Sequence, residues 1–160
     1  MSLSAAAHGE LEPRKIISNP AYEIFQPHFS PDRRWLVFEA TKSMPTALES
    51  SLYVAAADGG PWIRITDGKQ WDDKPCWSPD GKSIYFLSRR GGFFNVWGMR
   101  FDPVHGKPVG QPFKITTLDR ASLMVPQDIQ PVALSISQKS LVLTASEVSG
   151  SIWTLDNADK

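Results

Sequence analysis

Short runs of alternating apolar and polar residues recur along this chain, each of strand length. They are Trp35–Glu39 (WLVFE), Leu52–Ala56, Trp62–Thr66, Ser83–Ser88, Asn95–Phe101, Phe113–Thr116, Leu141–Ser146 and Ser151–Leu155. All are rich in β-branched and aromatic residues, which pack well on a pleated surface, and all are bounded by Gly, Pro, Asp or Ser. Thirteen prolines and eleven glycines punctuate the chain and leave no amphipathic helical stretch between them. The pattern predicts an all-β protein.

Two of the runs belong to a longer repeat. PHFSPDRRWLVF (27–38) and PCWSPDGKSIYF (75–86) align at an offset of 48 residues. Each copy then reads as a first strand, a Ser-Pro-Asp turn, two further strands and a fourth ending in Ile-Thr, at ITD (65–67) and ITT (115–117). A degenerate third copy, LSISQKSLVLTAS (134–146), aligns Leu134 with Trp77 and Leu141 with Ile84, its turn reduced to Ser135–Gln138. Pro79-Asp80-Gly81 supplies a fixed φ, a side-chain acceptor and a residue free to adopt positive φ. The earlier copy has Asp32-Arg33 where the later has Asp80-Gly81, so its turn is expected to be strained or of another type.

A four-stranded unit recurring every ~40–50 residues has the period of a β-propeller blade. FSPDRRWLVF and WSPDGKSIYF, each followed by an LYV or NVW strand and an Ile-Thr end, resemble the WD-like repeats of the TolB-type bacterial β-propellers. The resemblance covers roughly residues 14–155. It implies four-stranded antiparallel meanders: an outer strand at 14–18, blades at 27–66 and 74–116, and a degenerate three-stranded blade at 131–155. Residues 1–13 are expected to be a disordered or added lead, and 157–160 a tail. That is about three blades, whereas propellers close with about four to eight. The chain is therefore expected to be part of a longer propeller, or half of a six-bladed ring closed by a homodimer.

What the resemblance implies for function is a non-enzymatic module that binds or senses a protein or peptide. Its alternatives are the gating propeller of a prolyl-oligopeptidase-type hydrolase and the C-terminal sensor propeller of a bacterial kinase or transcriptional regulator.

Composition narrows the classes further. Lys plus Arg (17) balances Asp plus Glu (17), which argues against a nucleic-acid footprint. Cys76 is the single cysteine, so neither an intrachain disulfide nor a cysteine metal framework is available. No run reaches the ~20 apolar residues of a membrane helix, the N-terminus lacks the apolar core of a signal peptide, and no compartment is indicated. No nucleophile elbow, phosphate loop or metal-ligand spacing occurs, so no catalytic, cofactor or metal residue is expected.

The loops at one face of the blades, 19–26, 41–50, 67–74, 89–92, 118–130 and 147–150, mix aromatics with both charge signs. Tyr22, Glu23, Trp71, Asp72, Asp73, Arg89 and Arg90 are expected to ring the channel mouth as the partner-binding face, since Trp, Tyr and Arg dominate interface energetics. The plainer alternative pairs Arg89 and Arg90 with Asp72 and Asp73. On the opposite face DPVHGKPVGQP (102–112) reads as a protruding hairpin with His105 exposed at its tip. Trp77, Trp97, Trp153 and Phe86 are assigned to interblade core, and Cys76 to a buried apolar position.

Overall fold

The computed structural model describes residues 2–5, 11–43, 48–120, 122–147 and 149–150, which form strands and turns without a helix. The strands in chain order are β1 (Ser2–Ala5), β2 (Leu11–Arg14), β3 (Glu23–Phe29), β4 (Trp35–Ser43), β5 (Leu48–Ala56), β6 (Ile63–Arg64) and β7 (Asp72–Trp77). There follow β8 (Ser83–Ser88), β9 (Asn95–Asp102), β10 (Lys107–Lys114), β11 (Leu123–Met124), β12 (Leu134–Ile136), β13 (Leu141–Leu143) and β14 (Ser146–Glu147). β3-β4-β5-β6 and β7-β8-β9-β10 are four-stranded antiparallel meanders, two neighbouring propeller blades.

The two blades repeat in atomic detail. The Ser30 and Ser78 hydroxyls each donate to the Asp two residues on, at 2.6 Å, and accept the N–H five residues on, at 3.0 and 2.9 Å. The Ser-Pro-Asp sequence thus closes the first hairpin with its own side chains. At the opposite end Thr66 and Thr116 hydroxyls accept the N–H of Leu52 and Val96. This is the role of the Ile-Thr ends: they tie the outer strand to the third.

Each first strand is broken at the same place. The register skips between Phe25 and His28 and between Asp73 and Cys76, with Gln26 and Lys74 at φ 51° and 52°. Pro27 and Pro75 follow directly; lacking an N–H they cannot join the ladder, so a bulge absorbs them.

Apolar faces of adjacent elements meet in three layers. Between the blades lie Val37, Leu52, Val54, Trp77, Ile84, Phe86 and Phe101, with Trp35 and Trp97 against them. Trp35 and Trp77 reach across by donating indole N–H bonds to the carbonyls of Pro103 and His28. The far side of the second blade packs Leu87, Val96 and Tyr85 against Val125, Ile129, Val132 and the β12–β13 hairpin. Trp153 lies outside the described residues.

Several expectations are corrected. Residues 15–19 form no strand; Ile16 and Ile17 lie on the outer face of the first blade beside Phe38 and Tyr53, two adjacent apolar side chains used as a cover. Within the expected lead, Ser2–Ala5 pairs with Leu11–Arg14 as a hairpin. Much of the expected 41–50 loop is strand, since β4 and β5 keep one register from Trp35↔Ala56 to Ser43↔Leu48. Its polar residues mimic a loop in sequence, but Thr41, Ser50 and Ser51 are buried.

The 102–112 hairpin does not protrude as a long loop. β10 begins at Lys107, and the turn packs on the first blade, with Gly106 directly beneath the Trp35 ring. His105 remains exposed and pairs with Asp102 at 2.7 Å. In the third copy Ile136, not Leu134, is the counterpart of Trp77: Ile136 pairs with Leu141 as Trp77 pairs with Ile84. Ser137 accepts the Ser140 N–H, so the turn keeps its serine and loses two residues. Its expected third strand falls mainly outside the described residues.

Candidate functional site

A cleft of about 480 Å³ opens where β3, β4 and β7 meet the segment before β12. Glu23, Phe25 and Gln26 come from β3, Glu39 and Thr41 from β4, Asp73 and Lys74 from β7, with Trp71 just ahead of it and Ile129 and Gln130 closing the far wall. The two bulged residues, Gln26 and Lys74, both reach it.

Its floor is a pair of carboxyl groups from different blades. Asp73 is wrapped by donors: the Lys74 N–H at 2.6 Å, Gln26 Nε2 at 2.8 Å and Trp71 Nε1 at 3.3 Å. Glu39 is 3% exposed. The Ser50 hydroxyl lies 3.0 Å from Glu39 Oε1, but its single proton has a shorter path, 2.6 Å, to the Asp72 carbonyl. Burial, then the hydrogen bond and the negative charge of Asp73, push the Glu39 carboxyl up to about 8. Glu39 is thus held protonated at neutral pH.

Of the residues expected at the mouth, the structure brings Glu23, Trp71 and Asp73 together in this cleft. The others lie elsewhere. Tyr22 is half-buried in an aromatic cluster with Tyr53 and Trp62, at centroid distances of 6.0 and 5.7 Å. Asp72, neighbour to Asp73, points the opposite way as strand alternation requires, and is fully buried. Its Oδ2 accepts from Arg90 at 3.1 Å, and Arg90 also reaches Asp67 at 3.7 Å and covers the Trp97 ring. Burial pushes the Asp72 carboxyl up, and the nearby Ser88 and Thr66 hydroxyls and the Arg90 guanidinium, which donates to it, oppose that rise. Arg89 lies over the Phe94 ring and donates to the Gly92 carbonyl rather than to Asp73. Half of the plainer alternative therefore holds: Arg90 and Asp72 tie loops together.

Phe25, Gln26, Thr41, Lys74, Ile129 and Gln130 lie in segments the sequence assigns to this face without singling them out, and sequence reasoning missed Glu39 altogether. For Glu39 the repeat itself carried a signal, because the offset of 48 sets it against Leu87. A carboxyl group where the sister blade has core leucine marks a departure from packing. Cys76 is half-buried, and burial alone pushes its thiol up to about 12, so it is no thiolate nucleophile. Among the described residues no three His, Cys, Asp or Glu side chains lie together as metal ligands would, and no helix is long and apolar enough to cross a membrane.

The family model of the TolB beta propeller domain matches residues 9–147. The chain belongs to the TolB β-propeller domain family. Among solved structures, this TolB-propeller chain superposes on an Agrobacterium tumefaciens protein described as TolB with a TM-score of 0.50 at 22% identity, covering 81% of this chain and 47% of that one. An uncharacterised protein of Agrobacterium fabrum is 41% identical over 51 residues, 32% of this chain and 17% of its own length. An uncharacterised peptidase of Bacillus subtilis, YuxL, is 40% identical over 58 residues, 36% of this chain and 8% of its own. The chain thus spans about half of the solved relative and far less of the curated ones. The likeness to the solved structure is one of fold.

Proposed function

We propose that the chain is a non-catalytic module that binds a protein or peptide through the cleft at the blade mouth. The observation that carries this reading is the pairing of accessible aromatic surface, Phe25 and Trp71, with buried carboxyl groups in one concavity between blades. An apolar wall with a few fixed polar groups is the usual make-up of a recognition site. Similarity to the YuxL peptidase is confined to a small share of that protein and gives a hydrolase gate no comparable support.

Selection of a random-sequence peptide library on the immobilised chain tests the proposal. Wild type should enrich a family of related peptides and Trp71→Ala should lose them. Equal enrichment by both would remove the cleft as the site.

The same reading gives the chain a structural partner. Phe29 occupies the position at which Trp77 fills the interface between the blades, yet Phe29 is 47% exposed. A further blade, from a second copy or from a longer parent chain, would cover it. Light scattering across a concentration series separates the two: a stable dimer supports the two-copy ring, and a monomer supports blades supplied by the parent chain.

A further inference from the structure

The lining of the cleft is chemically one-sided. Glu23, Glu39 and Asp73 bring three carboxyl groups to it, whereas its one basic residue, Lys74, turns its ammonium to the Gln130 carbonyl at 3.3 Å. The Ser50 hydroxyl approaches Glu39 Oε1, and no N–H or hydroxyl donor among the described residues reaches its Oε2. Phe25, 44% exposed, and the half-buried Trp71 add aromatic surface, and the Trp71 N–H is fixed to Asp73. Acceptors are in excess, donors are spent, and aromatic rings stand beside them. Such a lining repels a carboxylate and suits a cation.

We propose that the cleft takes one cationic side chain of a bound peptide, a guanidinium or primary ammonium, which donates to Glu39 Oε2 and Asp73 while its charge rests against Phe25 and Trp71. This rests on the reading of the chain as a peptide-binding propeller and names the class of residue it reads. The groups that face Glu39 are Asp73 and Lys74 of β7, the Ser50 hydroxyl of β5 and, across the cleft, Glu23 of β3. In the free protein Glu39 keeps its proton, being raised to about 8. A cation in contact favours the carboxylate, so on binding the Glu39 O–H bond breaks, its electron pair stays on oxygen and the proton passes to solvent. By linkage the apparent affinity rises about tenfold per pH unit below Glu39's own pKa and levels off above it.

The experiment is calorimetric titration of the chain with acetyl-arginine-amide, acetyl-lysine-amide and the neutral near-isostere acetyl-citrulline-amide from pH 6 to 9, in two buffers of different ionisation enthalpy. A cationic probe should bind at least tenfold more tightly than citrulline, release a proton below pH 8 and tighten with rising pH. Glu39→Gln should flatten the pH dependence and Asp73→Asn should abolish binding, each variant being checked for a single cooperative unfolding transition. If Asp73→Asn fails to fold, Glu39→Gln decides alone. Citrulline binding equal to arginine, or a pH dependence unchanged in Glu39→Gln, overturns the proposal. Selected library peptides without basic residues whose capture still needs Trp71 overturn the cationic subsite and leave the binding module standing. Failure to capture peptides of any composition overturns both.

Discussion

Arg33 and Gly81 stand at the same corner of the same turn, 48 residues apart, with φ of 58° and 68°. The hydrogen bonds around them match: Arg33 N–H to the Ser30 carbonyl at 2.8 Å, Gly81 N–H to the Ser78 carbonyl at 2.9 Å. The first blade therefore uses the second blade's turn with a residue whose Cβ opposes it. Left-handed backbone costs a residue with a Cβ about 1–2 kcal/mol, of which glycine's greater unfolded-state freedom returns part. Arg33→Gly should stabilise the fold by about 0.5–1 kcal/mol and Gly81→Ala should destabilise it by about 1 kcal/mol, read from urea midpoints at constant slope. A loss of stability in Arg33→Gly would show that the Arg33 side chain makes a contribution larger than its strain.

Gly106 is irreplaceable for a different reason. Its φ is +65°, and a Cβ there would run into the Trp35 ring, whose indole N–H is bonded to the Pro103 carbonyl of the same turn at 3.1 Å. Gly110, at φ +77°, has open space around it. Gly106→Ala should cost roughly 2–4 kcal/mol, combining backbone strain with overpacking between blades, while Gly110→Ala should cost the backbone share of about 1 kcal/mol. Equal costs for the two in thermal unfolding would mean that the Trp35 contact carries no weight.

The repeat was legible in sequence because its determinants are local. Ser-Pro-Asp closes a turn within six residues, and the Ile-Thr end caps a strand it adjoins, so both survive as short motifs. A pattern reading sets the third copy two residues out of register because its turn is two residues shorter, and Leu134 and Ile136, both apolar and two apart on one face, are interchangeable to it. The cleft was harder. Trp71, Asp73 and Glu23 lie in stretches that read as loop and drew attention, whereas Glu39 sits inside a strand and meets Asp73 only through the packing of two blades. Asp72 and Asp73 read as one acidic pair, yet alternation along β7 sends one into a buried tie and the other into the cleft.

That buried tie can be measured. Asp72 is fully buried and Arg90 is its only cationic partner within salt-bridge distance among the described residues. Removing one member of such a pair strands the other, at about 2–4 kcal/mol given the partial exposure of the Arg90 side chain. Arg90→Ala should show this loss, and the Arg90→Ala/Asp72→Ala double variant should recover part of it. Without Arg90 the Asp72 carboxyl rises further, and a raised carboxyl withdraws stability as pH increases past the ordinary carboxylate range. The Arg90→Ala deficit should accordingly be larger at pH 8 than at pH 4.5; a pH-independent deficit would place the loss in packing over Trp97 instead.

Glu39 gives the fold a pH dependence of unusual sign. Its carboxyl is raised from 4.5 to about 8, so between those values the folded chain holds a proton that the unfolded chain has released. Its stabilising contribution is complete below 4.5, declines as pH rises through that window and is gone above about 8. Asp32, lowered to about 2 chiefly by the Ser30 hydrogen bond, and the likewise lowered Asp80 act in the opposite sense: their contribution is present above 3.8 and is lost as pH falls through their folded values. His28, lowered by burial, also opposes folding as pH falls below 6.5. Comparing wild type with Glu39→Gln isolates the first effect, because the other groups are common to both. The variant should gain stability over wild type steadily from pH 5 to 8, with urea midpoints converging at the acid end. Parallel pH profiles for the two proteins would show that Glu39 is ionised in the fold.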